Sequence, residues 1–353
     1  AGVDTCAVDG MCQTACPVLI NTGTLVKRLR RQDAGSVSNV AWKGAAQAWG
    51  GATRVASLGL TVADRLPAKA VTIATDLGRA VLGADTVPRY SADLPRGGRA
   101  RSRLGSTVGS GDAAPVAVFL PACVNAMFGP AGDGVGVTEA FRRLAERAGV
   151  RLAVPDGVDA LCCSTPWTSK GQAGGREVMA RRVAASIADA SRGGELTIVT
   201  DASSCTEGFI HLLADAGVDA RVEDAVAFAE RVLLPRLGEV APLVGSLALH
   251  PTCSSTQLGL DPALRRVAEA VATEVVVPDA WSCCGFAGDR GMLHPELTAS
   301  ATAAEAAEVR ALGADAHASC NRTCELGMTR ATGADYRHVL ELLEEATRAA
   351  SSA

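Results

Sequence analysis

No apolar run in this chain approaches the roughly 18 residues that a membrane-crossing helix needs. The first residues carry no basic, apolar, small-residue signal pattern either. A soluble or peripheral protein is therefore expected, in the cytoplasm or at the inner face of the cell membrane. Positive charge is not in excess: 34 Lys and Arg stand against 38 Asp and Glu, and a net charge of −4 argues against nucleic acid as the main partner. No glycine-rich nucleotide fingerprint is followed by its acidic residue, no Ser-His-Asp constellation can be assembled, and no flavin site is visible. An initiator methionine is missing too. The chain starts at Ala1, inside what reads as a motif, and is expected to be a piece of a longer polypeptide.

What is present is cysteine. There are 12 in 353 residues, at positions 6, 12, 16, 123, 162, 163, 205, 253, 283, 284, 320 and 324. A disulfide framework belongs to small secreted domains, whereas a chain this long with 48% hydrophobic and 20% charged residues can build two or three cores. Metal-binding or redox thiolates are the better reading.

The first segment, 1–36, holds Cys6, Cys12 and Cys16 before Pro17 and a helix-like run to Arg31. Residues 37–90 carry small and apolar residues at helical spacing, with Trp42, Trp49, Val55 and Leu58 on one face, and are expected to be packed helices rather than a membrane-surface helix. Residues 91–114 are rich in Gly, Ser and Arg without an apolar period, and read as a linker with solvated arginines.

Beyond 115 the chain repeats itself, over 115–240 and 244–349. PVAVFLPACVNAMFG answers GSLALHPTCSSTQLG; VPDGVDALCC answers VPDAWSCCG; TDASSCTEGF answers ASCNRTCELGM. Helical patterns carry Phe141, Leu144 and Ala148 in one half and Leu264, Val267 and Val271 in the other, the latter with Asp261-Pro262 as a ready N-cap and first position. Closing amphipathic helices are expected over Val222–Leu234 and Tyr336–Thr347. The fold expected is α/β: two tandem, similar, small parallel-sheet domains after a helical segment, with the cysteines at the strand ends, where open sheets bind ligands. Two such halves side by side would bring eight cysteines towards a shared face.

A single buried cysteine is commonly a small hydrophobe. Four recurring in the same order share a role: Cys123, Cys162, Cys163 and Cys205 in the first half, Cys253, Cys283, Cys284 and Cys324 in the second. Metal ligation is that role. Adjacent thiolates suit an iron-sulfur cluster better than one tetrahedral zinc, because neighbouring side chains point apart; zinc in one half is the alternative. His250, just before Pro251 and Cys253, reads as a structural histidine before a zinc ligand or proton carrier. Asp289, Arg290 and His294 read as a polar helix start before a site for a carboxylate substrate or a quinone.

The doubled order Cys, Cys-Cys-Gly, Cys-x-x-Cys resembles the cysteine-rich CCG domain shared by the heterodisulfide reductase B subunit and the iron-sulfur parts of glycolate oxidase and flavin-dependent D-lactate dehydrogenase. The resemblance covers about residues 115 to 345. In the reductase it implies a noncubane 4Fe-4S cluster on five cysteines. This chain departs from that pattern: Ala202 and Asn321 stand where the first cysteine of the final pair belongs, Cys320 is one residue out of register, and Ser164 follows Cys163. Four ligands per half fit an ordinary four-coordinate site or a redox-active thiol set.

The run Cys6-x-x-Asp9-x-x-Cys12-x-x-x-Cys16-Pro17 is similar to that of a bacterial ferredoxin, with Asp9 at the second ligand position. The resemblance implies that Cys6 and Cys12 hold one cluster, with Asp9 as a hard, labile ligand or the mark of a 3Fe-4S rather than a 4Fe-4S centre. Cys16 would serve a partner cluster whose motif lies before Ala1.

Together these segments look like the electron-transfer part of a flavin-dependent 2-hydroxyacid dehydrogenase, most of all the D-lactate type, with glycolate as the nearest alternative substrate. The resemblance implies FAD in an upstream domain and electron flow through ferredoxin clusters and the CCG region to a quinone or cytochrome. Two rivals remain: a thiol-disulfide enzyme of the heterodisulfide reductase kind, and a zinc-stabilised assembly module.

Overall fold

An apolar run buried on both faces makes a parallel strand. In the computed structural model, which describes residues 2–110 and 113–351, Ala117–Phe119 is such a run, with all three side chains buried. The strands are β1 (Thr107–Val108), β2 (Ala117–Phe119), β3 (Leu152–Ala153), β4 (Thr197–Thr200), β5 (Val222–Asp224), β6 (Val244–Leu249), β7 (Ala272–Val276), β8 (Ala316–Ser319) and β9 (Tyr336–His338). They form two sheets, ordered β1-β3-β2-β4-β5 and β7-β6-β8-β9. Every pairing is parallel except β1 with β3. The α/β fold with a parallel sheet in each half is therefore what the repeat foretells.

Leaving aside the edge strand β1, each sheet starts at a central strand, β2 or β6, adds a strand on one side, and then crosses to the other. The crossing points lie between β2 and β4 and between β6 and β8. There the strands hand over directly to helices Cys123–Met127, Ser203–Asp215, Cys253–Gln257 and Arg322–Thr332. Ligands sit at such points in open α/β sheets.

Amphipathic helices cover the sheets as their periodicity dictates. Val137–Arg147 buries Val137, Ala140, Phe141 and Leu144, and Asp261–Glu269 buries Leu264, Val267 and Ala268. Asp261 is not a cap, however. It is the first helical residue, and its carboxylate accepts from Ser255 Oγ at 2.6 Å and Thr256 Oγ1 at 2.8 Å. The two closing helices also start late. Residues from Val222 and Tyr336 first pair as β5 and β9 with the open edges of β4 and β8, and helix begins at Ala225 and Val339.

The connector departs further from expectation. Helices Ser36–Gln47, Trp49–Asp64 and Ala68–Leu82 form, but a break at Ala48 changes which face is covered. Ala46, Trp49 and Thr53 are buried, and Trp42 and Trp49 lie edge-on to Trp167 of the first domain, with centroids at 6.5 and 4.7 Å. Val55 and Leu58 are 70% and 64% exposed.

The stretch 91–114 is a fastened strap rather than a solvated linker; residues 111 and 112 lie outside the described residues. Leu94 is buried, Gly97 bridges to Phe128, β1 joins the first sheet, and Arg101 is 3% exposed. Between the halves, Arg147 pairs with Glu344 at 2.6 Å and Gly136 N–H donates to Glu341 Oε2 at 2.9 Å. Phe119, Phe141, Leu247, Leu264 and Leu340 belong to one continuous core. Among the described residues no helix is long and apolar enough to cross a membrane.

Candidate metal centres

The strand-to-helix handovers bring the repeated cysteines together in two sets, one in each half. In the first domain, Cys123 starts the helix after β2 and Cys205 lies in the first turn of the helix after β4. The Cys162-Cys163 loop reaches between them. Cys123 Sγ lies 3.7 Å from Cys162 Sγ, and Cys163 Sγ lies 3.5 Å from Cys205 Sγ. In the second domain Cys253 and Cys324 occupy the same places, and Cys284 Sγ lies 3.3 Å from Cys324 Sγ. Cys253 and Cys283 also face one another as sulfur neighbours. All twelve cysteines are free thiols.

Both cysteine pairs sit on the same turn. Ser164 at φ 69° adopts the left-handed conformation that Gly285 holds at φ 66°, so the serine preserves the turn. A second repeated device was not read from the sequence. Gly208 and Gly327 each follow their cysteine by one helical turn, where a Cβ would meet Cys163 Cβ at 3.0 Å or Cys284 Cβ at 3.3 Å. The matched CTEG and CELG strings carry that signal: the missing side chain lets the cysteine loop lie close against the helix, more tightly at Gly208 than at Gly327.

Burial and sulfur neighbours set the proton affinities. In the first set, the contact with Cys162 pulls the Cys123 thiol down, with help from Arg101, and contacts with Cys162 and Cys205 pull Cys163 well below the thiol range. Burial drives Cys162 well up, and the Cys163 neighbour does the same to Cys205. In the second set all four go up. The Cys283 neighbour raises Cys253. For Cys283, Cys284 and Cys324, one sulfur neighbour favours the anion, but the other sulfurs and burial outweigh it. Cys284 reaches about 12 and Cys324 about 11. Thiolates form in such places when a cation compensates them, so a metal would bind with release of protons.

Arg101 holds the first set from behind. Its guanidinium donates at 2.9 Å to the carbonyls of Pro121, Asp159 and Leu161, which frame both cysteine loops. Trp49 Nε1, without an oxygen or nitrogen acceptor, turns towards Cys123.

His250 lies just beyond the last residue of β6. It is fully buried, and a ring nitrogen lies with the Cys284 and Cys324 sulfurs in a group whose ligand atoms are all within 4.8 Å of one another. Its Nδ1 is 2.7 Å from Glu305 Oε1, while Nε2 has no oxygen or nitrogen partner and meets the Cys284 sulfur. Burial depresses the imidazole, but Cys284 and Glu305 together more than offset this and raise it to about 9.

Cys320 stays apart. Its sulfur lies 3.8 Å from Thr252 Oγ1 and 3.9 Å from Ser203 Oγ, at the seam between the halves. Asp289 pairs with Lys170 at 2.8 Å, His294 with Asp85 at 2.8 Å and Glu296 at 3.2 Å, and Arg290 starts a short helix.

The N-terminal run lies against the second domain. Gln257 Nε2 donates to Asp9 O at 2.6 Å, and the Asp9 charge helps raise Cys253 and Cys283. Cys6 Sγ accepts from Val8 N–H at 3.4 Å, and Cys12 accepts from Thr22 Oγ1 at 3.1 Å, which pulls its thiol down. Arg30 ties the run down through the carbonyls of Val3, Asp4, Cys6 and Ser169. Among the described residues, His250, Cys284 and Cys324 are the one group of three or more ligand atoms all within 4.8 Å of one another; the N-terminal run Cys6, Asp9, Cys12 and Cys16 is not so gathered, and the first-domain cysteines meet as the pairs Cys123 with Cys162 and Cys163 with Cys205.

The second set fits a metal through His250, Cys284 and Cys324, and the first offers two sulfur pairs. Two thiolates on one tetrahedral ion at about 2.3 Å stand about 3.8 Å apart, close to the observed pairs. The family model of the cysteine-rich domain CCG matches the chain twice, over residues 117–209 and 247–329. No curated protein matches the chain.

Proposed function

We propose, for a chain that carries the cysteine-rich CCG domain twice, that it is the iron-sulfur electron-transfer part of a flavin-dependent 2-hydroxyacid dehydrogenase. D-lactate is the substrate of choice and glycolate the next. FAD belongs to an upstream domain of the same protein, where the hydroxyacid is oxidised, and a quinone or cytochrome takes the electrons at the far end. The chain works in the cytoplasm, with contact at the inner face of the membrane where a quinone is the acceptor.

The observation that carries this reading is the pair of four-cysteine sets at matching switch points, each with sulfurs in contact and none in a disulfide. When bound, an iron-sulfur centre supplies one-electron storage at a potential tuned by ligand type, burial and hydrogen bonding. The residues here contribute that tuning: Arg101 and Trp49 at the first set, His250 and Glu305 at the second. The N-terminal run Cys6, Asp9, Cys12 and Cys16 rests on the second domain, so a 4Fe-4S or 3Fe-4S centre held there would neighbour the second set.

A second reading has its own support. Mixed nitrogen and sulfur donors suit zinc, and the His250, Cys284 and Cys324 group is of that kind. Metal and acid-labile sulfide analysis with EPR, on the chain purified without oxygen, separates the two. Iron with sulfide that depends on the CCG cysteines supports the relay. Zinc in both domains, or no metal, refutes it and leaves an assembly module or a thiol-disulfide enzyme.

A further inference from the structure

The repeats correspond residue for residue at the end of their central strands, and there they differ. Leu120 precedes Pro121 in the first domain, and His250 precedes Pro251 in the second. Leu120 is a fully buried aliphatic residue. The covering helices differ to match: Ala173–Ala190 turns Met179, Val183 and Ile187 inward, whereas Pro295–Leu312 buries Glu305. An imidazole and a carboxylate thus replace apolar packing in one domain only. Burying such a pair is costly unless its polar atoms are all engaged, and His250 Nε2 has a sulfur but no oxygen or nitrogen beside it.

The arrangement gives that nitrogen a direction. Backbone bonds fix the residue, with His250 N–H donating to Ala318 O at 2.8 Å and Ser319 Oγ donating to His250 O at 2.8 Å. Glu305 Oε1 holds Nδ1 at 2.7 Å, and Glu305 Oε2 accepts from Ser282 N–H at 3.4 Å, beside the Cys283-Cys284 pair. With Nδ1 engaged by the carboxylate, Nε2 is the ring nitrogen left to face the Cys284 and Cys324 sulfurs, and a metal there would take the place of its proton. A carboxylate behind an imidazole is the usual support of a metal-bound histidine, fixing its tautomer and raising its basicity.

We propose that His250 is a metal ligand through Nε2, alongside Cys284 and Cys324, with Glu305 as its positioning residue. The two domains then hold chemically different centres, all-sulfur in the first and mixed nitrogen and sulfur in the second. The inference rests on the reading that the cysteine sets bind metal.

The test is X-ray absorption at the edge of each metal found in the anaerobically purified chain, with pulsed EPR for nitrogen-14 coupling in paramagnetic states. Wild type should show a nitrogen ligand at about 2.0–2.1 Å that His250→Gln removes. Glu305→Gln should keep it while weakening metal retention about 10- to 100-fold. Nitrogen missing from a wild-type metal whose content falls in Cys284→Ser would overturn the role of His250 and leave the cysteine reading intact. Metal content indifferent to Cys284→Ser would overturn both. The wild-type spectrum decides even if His250→Gln does not fold.

Discussion

Replacing Arg101 with Met should loosen the cysteine loops of the first domain and leave those of the second in place. The guanidinium is 3% exposed and donates three bonds of 2.9 Å to the carbonyls of Pro121, Asp159 and Leu161. A hydrogen bond to a charged group is worth about 1.5–3 kcal/mol. The three are not additive, and removing Arg101 also relieves the burial of a cation, so a net loss on the order of 3 kcal/mol is expected. Urea unfolding followed by tryptophan emission reads it out, because Trp49 and Trp167 lie together beside this set. Arg103, exposed two residues on, is the control, and Arg103→Met should stay within about 0.5 kcal/mol of wild type. In the metal-free, reduced protein, thiol titration with an aromatic disulfide should show Cys123 and Cys162 reacting faster in Arg101→Met. If Arg101→Met unfolds where Arg103→Met does, with unchanged thiol reactivity, the strap does not hold the site.

Asp224 caps the helix Ala225–Phe228 through Val226 N–H at 2.9 Å and accepts from Thr206 Oγ1 at 2.8 Å, and burial raises its carboxyl to about 7. An acid raised on folding costs nothing below its unfolded pKa, and its cost grows as pH rises, complete above about 7. Asp224→Asn should therefore gain about 3 kcal/mol on wild type between pH 5 and pH 8, and parallel urea-stability curves would refute the assignment. Gly208→Ala, whose Cβ would meet Thr165 Oγ1 at 2.6 Å, should cost about 1–3 kcal/mol by overpacking, while Gly327→Ala, with its nearest atom at 3.3 Å, should cost less than about 1; equal melting shifts would mean that the first loop lies no tighter against its helix than the second. If the chain belongs to a flavin-dependent dehydrogenase as proposed, Cys283→Ser in that enzyme should slow acceptor reduction in stopped-flow traces more than flavin reduction, and equal slowing would contradict a relay.

The repeat made most of this fold legible. A string such as PVAVFLPAC has only one comfortable use, as a buried parallel strand delivering a cysteine to a helix start, and the chain contains two of them. Arg101 was hidden because its partners are carbonyls of loops 20 and 60 residues away, and no composition rule reveals which arginine of an Arg-rich stretch is buried. Val55 and Leu58 misled for the opposite reason: helical spacing says that a face exists, but the break at Ala48 decides which face the domain covers.

His250 shows the limit of reasoning by repeats. Agreement between the halves identifies what both need, and so it draws the eye to cysteines and away from the one position where a leucine answers a histidine. The ligand-like character of His250 depends on Glu305, 55 residues later on a helix whose counterpart is aliphatic, so neither residue is informative alone. Where two domains descend to the same scaffold of strand, proline, cysteine and helix, their chemical difference must lie in the residues that break the correspondence. Here the break is a buried acid–imidazole pair aimed at two sulfurs, and it makes the second domain the place where a distinct potential, or a distinct metal, is built.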